Sequence, residues 1–548
     1  MNKYNIDLDK CAANHQALTP IRFLRRSADV FPNRTAVIYK DRKYSWKEYS
    51  ERCHKLARAL LSCGVQRGDT VGIIATNVPA MVEAQFGIPM SGAVINCINV
   101  RLDAPAIAHI LKHSETKVLL VDQQFAGVAK AAIAESGMHI YVIDIADSDA
   151  GSTELIGKVE YEDFLATGSD DAEIVFPEDE WDAIALNYTS GTTGHPKGVV
   201  YHHRGAYLNA LGQVMNANLL GAVPVYLWTL PLFHCNGWCF AWALAAVGGT
   251  HVCIRKAAAP DIYEAIAKHQ VTHFCSAPTV LSFLIEGRPA SWTAPAEPIN
   301  VVCAGAPPPV AILRKITEMG FKVMHVYGMT EQHGITTLCE TQENWAEWSF
   351  EERMVQLGRQ GVRSIVTDEM KVFAPGGYVP IPHDGQTLGE IMFRGNLGMK
   401  GYLKNPAATK EAFADGWYHT GDLAVVHEDG YIDIKDRMKD IIVSGGENIS
   451  SLELENVLYT HPGALGVAVV AVSDERWGEV PCALVELKPE FDGRVSEKEI
   501  IDFCRARLPG FKTPKHIVFG PLARTATGKL QKFRLRAYAA EVIAARKA

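Results

Sequence analysis

A loop rich in glycine and hydroxyl residues, placed between a strand and a helix, limits the folds open to this sequence. Residues 188–198 read Tyr-Thr-Ser-Gly-Thr-Thr-Gly-His-Pro-Lys-Gly. The apolar run 183–186 predicts a buried strand before the loop, and the spacing of leucine and methionine over 206–219 predicts a helix after it. Glycines let backbone N–H groups approach phosphate oxygens, hydroxyls donate further hydrogen bonds, and lysine adds a point charge. The segment therefore predicts a phosphate-binding loop in an α/β fold.

This loop differs from the P-loop of ordinary nucleoside triphosphatases, which requires G-x-x-x-x-G-K-[ST]. Here Lys197 follows Gly194 by three positions, and Gly198 stands where the metal-binding hydroxyl would be. A solvated turn would also use glycine, serine and threonine, but this run is denser than such a turn requires. We interpret it as a phosphate loop of a different kind.

Size and composition indicate a globular enzyme with two or more subdomains. The chain has 548 residues, which exceeds one ordinary core. Hydrophobic residues make up 48% and charged residues 21%, as in soluble globular proteins. A net charge of −8 argues against nucleic acid or an anionic membrane as the main partner. The longest apolar run, 238–247, is too short to cross a bilayer, so no integral membrane association is expected.

The N-terminal residues and the cysteines together predict a cytoplasmic location. Residues 1–18 lack the apolar stretch of a signal peptide and the arginine-rich pattern of a transit peptide. The twelve cysteines are scattered along the chain, as reduced thiols usually are.

The segment 234–239 contains a histidine and two cysteines that could suggest zinc. A structural zinc site would need a second ligand pair, and the chain has no C-x-x-C. His109 and His113 have helical ligand spacing but lie far away in sequence, with no carboxylate between them. We therefore interpret 234–239 as the wall of a pocket.

The pattern of strands and helices changes near residue 436. Short apolar runs alternate with amphipathic stretches from residue 20 to about 435, which predicts parallel sheets covered by helices. After the charged stretch 436–440, residues 450–453 resemble a helix capping box, 466–472 and 481–487 predict strands, and 496–508 predicts a second helix.

Further motifs follow the phosphate loop in a fixed order, and together they carry a family resemblance over residues 20–540. They are Tyr327-Gly328-Met329-Thr330-Glu331, Gly389-Glu390-Ile391 with Arg394-Gly395 and Gly401-Tyr402, Trp417-Tyr418-His419-Thr420-Gly421-Asp422, Asp436-Arg437-Met438-Lys439-Asp440, Ser444-Gly445-Gly446-Glu447-Asn448, and Thr527-Gly528-Lys529. In these motifs the chain is similar to the adenylate-forming enzymes, which include acyl-CoA synthetases, luciferases and the adenylation domains of peptide synthetases. One departure is Ala523-Arg524, where the family commonly has Pro-Lys.

The resemblance implies a fold and a reaction. The expected fold is α/β, with a large N-terminal domain (1–435) of parallel-rich sheets covered by helices, a hinge (436–440), and a small mobile α+β lid domain (441–548). In the expected reaction a carboxylate attacks the α-phosphate of ATP, and a thiol then attacks the acyl-adenylate. ATP, Mg²⁺ and coenzyme A are the implied cofactors, and a small carboxylic acid is the implied substrate.

The resemblance also assigns residues to the first half-reaction. Lys529 would bridge the substrate carboxylate and the α-phosphate, Thr330 would donate to the α-phosphate, and Glu331 would bind Mg²⁺. Asp422 suits the ribose hydroxyls, and Arg437 would reach the ribose or a phosphate. The phosphate-loop positions are Thr189, Ser190, Gly191, Thr192, Thr193, Gly194 and Lys197. The remaining nucleotide-site positions are Gly305, Ala306, Pro307, His325, Tyr327, Gly328, Met329 and Ile434.

For the second half-reaction the resemblance points to the segment after residue 435. Lys439 would be the pivot about which the lid rotates. The rotation would remove Lys529 from the site and bring in the face of the lid that carries Gly445 and Gly446. The positions implied for coenzyme A are Ser444, Gly445, Gly446 and Glu447. Glycines leave a backbone without side chains, which suits a tunnel for the pantetheine arm.

The acid is expected to be short or medium in length and linear. His234, Trp238 and Gly328 are the expected substrate-binding residues, and 233–238 lacks the carboxylate that an amino-acid substrate would need. The residues of this 233–238 motif resemble those of medium-chain acyl-CoA synthetases. Among these enzymes, they most resemble the 3-methylmercaptopropionate–CoA ligases. Transfer to a carrier protein and an aryl-acid substrate remain alternatives. A luciferase-like monooxygenase and a non-catalytic acyl-nucleotide sensor are less favoured, and a homodimer is left open.

Overall fold

The structure is a computed structural model, and it describes residues 2–168, 173–189, 196–524 and 530–547. It has the predicted α/β fold. In chain order the first elements are α1 (Ile21–Val30), β1 (Thr35–Tyr39), β2 (Arg42–Ser45), α2 (Trp46–Ser62), β3 (Thr70–Ile74), α3 (Pro79–Met90), β4 (Val94–Cys97), α4 (Ala104–Ser114), β5 (Thr116–Asp122), α5 (Ala126–Ser136), β6 (Tyr141–Ile145), β7 (Val159–Glu160), α6 (Tyr161–Leu165), β8 (Ala183–Thr189), β9 (Lys197–His202) and α7 (His203–Asn216).

The middle of the chain continues the alternation and then becomes mainly β. Its elements are β10 (Val225–Leu227), the short turn α8 (Cys235–Trp238), α9 (Phe240–Val247), β11 (Thr250–Val252), α10 (Ala259–His269), β12 (His273–Ser276), α11 (Pro278–Glu286), β13 (Ile299–Cys303), α12 (Val310–Glu318), β14 (Phe321–Met329), β15 (Gly334–Leu338), α13 (Phe350–Leu357), β16 (Val362–Arg363), β17 (Glu369–Phe373), β18 (Gly389–Arg394), β19 (Gly401–Tyr402), α14 (Pro406–Ala412), β20 (Tyr418–Val426) and β21 (Ile432–Arg437).

These strands form three sheets. The first has the order β19-β9-β8-β4-β3-β5-β6-β7, and the second has the order β16-β15-β14-β13-β12-β10-β11-β1-β2. Both are parallel over their central strands and antiparallel at one or both ends. The third, β17-β18-β20-β21, is entirely antiparallel, a feature that the sequence analysis did not predict.

A buried helix links the cores of the large sheets. Every residue of α3 is buried, because the helix is apolar on all sides. Its one carboxylate, Glu83, is paired: Arg52 Nε donates to Glu83 Oε1 at 2.6 Å, and Tyr161 Oη donates to Glu83 Oε2 at 2.6 Å. This pairing makes the burial of a charge tolerable.

The last part of the chain has its own five-stranded sheet and its own cores. Its elements are β22 (Ile442–Ser444), β23 (Glu447–Ile449), α15 (Ser451–Leu458), β24 (Ala464–Asp474), β25 (Gly478–Leu487), α16 (Glu497–Arg505), β26 (His516–Phe519) and α17 (Lys532–Lys547). The strand order is β23-β22-β25-β24, with β26 paired to β25. Helices α15 and α16 cover one face, and α17 covers the other. The boundaries 1–435, 436–440 and 441–548 stay predictions.

The start of α15 differs in detail from its prediction. Ser450 Oγ accepts from the Glu453 N–H at 3.1 Å, as a capping residue should. The carboxylate of Glu453 pairs with Lys512 Nζ at 2.7 Å, so it does not return to the cap as a capping box would require. Among the described residues, no helix is long and apolar enough to cross a membrane.

Candidate active site

The phosphate loop connects two antiparallel strands at one edge of the first sheet. Strands β8 and β9 pair with Thr189 opposite Lys197, and helix α7 begins only after β9. The sequence pattern predicted a helix directly after the loop and gave no sign of β9. Five predicted positions lie outside the described residues: Ser190, Gly191, Thr192, Thr193 and Gly194.

A tyrosine joins the loop lysine to the predicted metal ligand. Lys197 Nζ lies 4.7 Å from the centre of the Tyr402 ring, and Tyr402 Oη donates to Glu331 Oε1 at 3.0 Å. Strand β19 carries Tyr402 and pairs with β9, so the sheet holds this tyrosine beside the lysine. Burial raises the pKa of the Glu331 carboxyl, while the hydrogen bond from Tyr402 and the charges of Arg437 and Lys197 oppose that shift.

Thr330 and Glu331 belong to a helical turn that follows strand β14. The Thr330 Oγ1 atom lies 2.9 Å from Cys235 Sγ, and the Met399 N–H donates to the Glu331 carbonyl at 2.9 Å. The turn is thus fixed on one side by the segment 234–239 and on the other by the loop before β19.

Asp422 is held between an aromatic hydroxyl and a guanidinium. Tyr327 Oη donates to Asp422 Oδ2 at 2.7 Å, and Arg437 Nε lies 3.4 Å from Asp422 Oδ1. The register of β20 and β21 places Asp422 directly opposite Arg437. Burial, reinforced by the Asp422 charge, raises the pKa of Tyr327 well above its ordinary value, so its hydroxyl remains a donor.

Two predicted site positions, Gly305 and Gly328, suit glycine for different steric reasons. Gly305 follows β13 with φ +91°, and a Cβ there would meet open space, as expected where a ligand lies against the backbone. Ala306 is exposed, and Pro307 is half-buried. A Cβ at Gly328 would lie 1.8 Å from the Gly334 carbonyl oxygen, so the β14–β15 pair admits only glycine there.

Three other predicted nucleotide-site positions are mainly part of the framework. His325 is buried, and burial lowers the pKa of its imidazole to about 4; its Nδ1 atom has no hydrogen-bond partner in the described structure. Met329 ends β14 opposite Gly334. Ile434 lies in β21, and its N–H donates to Oε1 of Gln360, just before β16, at 2.6 Å.

The glycine pair predicted for coenzyme A forms a tight hairpin between β22 and β23. Gly445 and Gly446 have φ +61° and +90°, between Ser444 and an exposed Glu447 that face each other in the ladder. Two consecutive positive φ values are what a two-residue hairpin turn demands. A Cβ at Gly445 would lie 2.6 Å from the ring of the exposed Trp477, so a side chain here would have to displace that ring.

Of the predicted hinge residue and the predicted catalytic lysine, only the hinge residue lies within the described part of the chain. Lys439 is exposed in the turn after β21, and its carbonyl accepts from Arg536 at 3.4 Å. Lys529 lies outside the described residues.

The segment 234–239 lies beside this site, as the pocket-wall prediction requires. His234 is half-buried, and Trp238 is buried at 7% exposure against Gly334. Cys239 Sγ donates to the His333 carbonyl at 3.4 Å. Among the described residues, no group of three metal-ligating side chains forms a metal cluster.

Tyr402 and Cys235 contact predicted site residues, although neither was predicted to have a role. Tyr402 was visible as half of the Gly401-Tyr402 motif, which was a usable signal. Nothing in the local sequence indicates that Cys235 reaches Thr330, because the two are 95 positions apart.

Comparison with known families identifies the chain. The family described as AMP-binding enzyme matches residues 24–403, and the AMP-binding enzyme C-terminal domain matches residues 453–529. The chain belongs to the AMP-binding enzyme family. Its membership of the adenylate-forming enzymes, first inferred from motifs, is thereby confirmed.

Named relatives of this AMP-binding enzyme are acid–CoA ligases. It is 49% identical to an acetate–CoA ligase (CCL3) of Humulus lupulus, over 99% of this chain and 98% of the relative. It is 48% identical to a peroxisomal acetate/butyrate–CoA ligase (AAE7) of Arabidopsis thaliana, over 98% and 97%. It is 43% identical to a peroxisomal benzoate–CoA ligase of Arabidopsis thaliana, over 97% and 94%.

Solved structures of a CoA synthetase have the same fold as this chain. The o-succinylbenzoate CoA synthetase (MenE) from Bacillus subtilis, in complex with its acyl-adenylate intermediate, has a TM-score of 0.81 at 28% identity, over 94% of this chain and 97% of that one. Its complex with ATP and magnesium ion has a TM-score of 0.79 at 29% identity, over 94% and 98%.

This AMP-binding enzyme is therefore an AMP-forming acid–CoA ligase that uses ATP, Mg²⁺ and coenzyme A. It converts a small carboxylic acid to an acyl-adenylate and then transfers the acyl group to coenzyme A.

The expected cytoplasmic location is wrong. The acetate/butyrate–CoA, butyrate–CoA and benzoate–CoA ligases of Arabidopsis thaliana are named as peroxisomal proteins. Scattered reduced cysteines indicate a reducing environment, and they do not distinguish one such compartment from another.

Proposed function

We propose that this ligase acts on short or medium-length linear acids in a pocket bounded by His234, Trp238 and Gly328. The observation that carries the proposal is the position of Trp238, a large buried side chain in the segment that also contacts Thr330. An indole at this position limits the length of the acyl chain. Apolar, aromatic surroundings also suit a thioether such as that of 3-methylmercaptopropionate.

The nucleoside would be held by Asp422 and the surfaces around it. Tyr327 occupies one oxygen of this carboxylate, and the carboxylate as a whole has four lone-pair sites, so acceptors remain for the ribose hydroxyls. The open backbone at Gly305, with Ala306 and Pro307, would line one face of the adenine, and Tyr327 the other. Arg437, already beside Asp422, would reach the ribose or a phosphate.

The donor set around Glu331 fits Mg²⁺. A carboxylate oxygen is the ligand that this hard cation prefers, and the Tyr402 hydroxyl holds the carboxylate in one orientation. The ion would neutralise phosphate charge while two anions approach each other. Lys197 would add a cation on the other side of Tyr402, and Thr189 would begin the cradle that residues 190–194 complete.

Lys529 would act in adenylation by pairing the attacking carboxylate with the α-phosphate. Rotation about Lys439 would then bring the Ser444–Glu447 hairpin to the site, where its glycines would line the pantetheine arm. A homodimer is a further prediction, and sedimentation velocity on the purified chain measures it.

A panel of acids tests the substrate class. Linear acids of C2 to C10, 3-methylmercaptopropionate and benzoate would be assayed for AMP release with and without coenzyme A. We expect the highest kcat/KM among short or medium linear acids, with AMP release that requires free coenzyme A. Preference for benzoate would establish the aryl-acid alternative, and independence from free coenzyme A would favour a carrier-protein acceptor.

The Lys529→Ala variant tests the proposed chemistry. We expect it to abolish adenylation while thioester formation from preformed acyl-adenylate persists, because the lysine is needed only while two anions react. Equal loss of both half-reactions would show that Lys529 has a structural role.

A further inference from the structure

The pocket-wall segment has a backbone that L-residues rarely adopt. Five consecutive residues have left-handed φ values: Cys235 (+49°), Asn236 (+44°), Gly237 (+56°), Trp238 (+53°) and Cys239 (+65°). Only one of the five is glycine, and in a left-handed turn each Cβ crowds the following carbonyl oxygen. The surrounding structure must therefore hold this turn in place.

Buried amides supply that hold. Asn236 Nδ2 donates to Gln85 Oε1 on α3 at 2.9 Å. Ahead of the turn, Asn77 Nδ2 donates to the Trp228 and Leu230 carbonyls at 2.8 and 3.0 Å, and its Oδ1 accepts from the Leu232 N–H at 2.9 Å. Two amide side chains thus fasten the turn and its entry to the core of the large domain.

Two residues of the turn lie beside strand β15 and the helical turn that carries Thr330. Trp238 packs beside Gly334, and Cys235 Sγ reaches to 2.9 Å from Thr330 Oγ1. Cys235 is buried at 5% exposure, whereas Thr330 is half-buried. The thiol therefore approaches the threonine hydroxyl from the protein interior, which leaves the other side of that hydroxyl for a ligand.

The protonation state of the thiol determines whether it is able to donate this hydrogen bond. Burial raises the pKa of the Cys235 thiol to about 11, so it remains a neutral S–H group near neutral pH. A neutral thiol can donate into the lone pair of Thr330 Oγ1, and the threonine proton is then free to point to a phosphate oxygen.

We propose that Cys235 is a positioning residue, which orients the Thr330 hydroxyl toward the α-phosphate and is held at the required distance by the left-handed turn. This inference rests on the proposed role of Thr330. It joins the acyl pocket and the phosphate site mechanically, because Cys235 and Trp238 belong to the same strained turn.

The test compares three substitutions at one position. Cys235→Ala removes the donor, Cys235→Gly removes it and also suits a positive φ, and Cys235→Ser keeps a donor. Cys253→Ala, at a buried cysteine just after β11, is the matched control for the loss of a buried thiol. Pyrophosphate release, thioester formation from preformed acyl-adenylate, and thermal stability would be measured for each.

We expect Cys235→Ala and Cys235→Gly to lower kcat for adenylation about tenfold with KM for the acid within about twofold, as for loss of one oriented hydrogen bond. Cys235→Ser should recover most of that loss, and Cys253→Ala should behave as the parent enzyme. Thioester formation should be unchanged in all four. Unchanged adenylation in both donor-less variants, or an equal loss in Cys235→Ser, would overturn the proposal.

A double substitution distinguishes the positioning role of Cys235 from the proposed role of Thr330. Thr330→Val alone tests whether Thr330 contributes to adenylation at all. If it does, adding Cys235→Ala to Thr330→Val should cause no further loss, because the cysteine acts through the threonine. Additive losses would refute the positioning role and leave the proposed function intact. An unaffected Thr330→Val enzyme would instead refute the role of Thr330.

Discussion

Glu331 combines burial with three stabilising neighbours, so its ionisation depends on their presence. Burial raises the pKa of its carboxyl, and the Tyr402 hydrogen bond opposes that shift together with the charges of Arg437 and Lys197. The ionised form is the one that binds a metal ion. Activity should consequently fall as pH decreases through the pKa of this carboxyl.

The Tyr402→Phe variant tests this balance. Removing the hydroxyl donor raises the pKa of Glu331 further, so the acidic limb of the kcat/KM profile for ATP should move to higher pH. At the acidic end the variant should lose about 3- to 10-fold more activity than on the alkaline plateau. Tyr378→Phe, which removes an exposed hydroxyl bonded to Asp415, is the control. An unchanged pH profile would contradict the coupling.

Trp238 combines a large side chain with a left-handed backbone, which makes glycine the informative replacement. Trp238→Gly should lower kcat/KM on short acids and raise it on C8 to C12 acids. Each extra buried methylene contributes roughly 0.8 kcal/mol, so three or four more carbons could shift the preference by about 2–3 kcal/mol. The φ of +53° suits glycine, which limits the loss of stability.

Chain-length profiles of the parent enzyme and of Trp238→Gly check this prediction. A profile parallel to that of the parent enzyme, with uniform loss of activity and stability, would show that Trp238 only packs the core.

At the scale of elements, the turn after β21 connects two differently built parts of the chain. The Met438 N–H donates to the Gly421 carbonyl at 2.8 Å, and the Asp440 N–H donates to the Arg437 carbonyl at 2.8 Å. Few residues separate the antiparallel sheet that carries Asp422 from the hairpin that carries Gly445. A change of backbone dihedrals here could therefore exchange which surface faces Asp422.

Lys439→Pro tests whether the pivot lies at this residue. Proline fixes φ near about −65° and removes an N–H, so a residue that must adopt two backbone conformations becomes locked. Adenylation should survive, while acyl transfer to coenzyme A should fall at least about tenfold. Asp492→Pro, at a site whose φ is already −62°, is the control. Parent-like transfer by Lys439→Pro would place the pivot elsewhere.

At the scale of the whole molecule, a buried ionic group fastens the last part of the chain to β21. Lys532 Nζ lies 2.9 Å from Glu455 Oε1 and also donates to Ser451 Oγ. Ser451 in turn donates its N–H to Asp436 Oδ2 at 2.6 Å. Asp436 and Glu455 are both buried, and only 13% of the Lys532 side chain is exposed. The ammonium of Lys532 therefore offsets the charges of two buried carboxylates.

Lys532→Met should destabilise this part by about 3–5 kcal/mol, because it leaves Glu455 as an uncompensated buried charge. Hydrogen exchange of the β24 and β25 amides measures the effect on this part separately. Arg505→Met removes an exposed pair with Asp502 and should change stability by less than about 1 kcal/mol. Equal protection in the two variants would contradict the prediction.

The sequence by itself determined the α/β class, the family and the ligase chemistry, because each depends on local patterns. Gly328 answers a steric demand from nearby Gly334, and Gly445 answers the positive φ of a hairpin turn, so both motifs are visible in the chain. In the last part of the chain, helices α15 and α16 and strands β24 and β25 were predicted in kind, whereas β22, β23, β26 and α17 were not. The exact acid was not, since a pocket is a property of several segments together.

Only the tertiary structure decided how distant groups meet. Tyr402 and Glu331 are 71 positions apart, and Cys235 and Thr330 are 95 apart, so no periodicity or spacing relates them. The antiparallel strand β9 and the left-handed turn 235–239 also escaped prediction. The turn overrides local preference and is stabilised by a buried partner on α3, whereas β9 is defined by its pairing with β8.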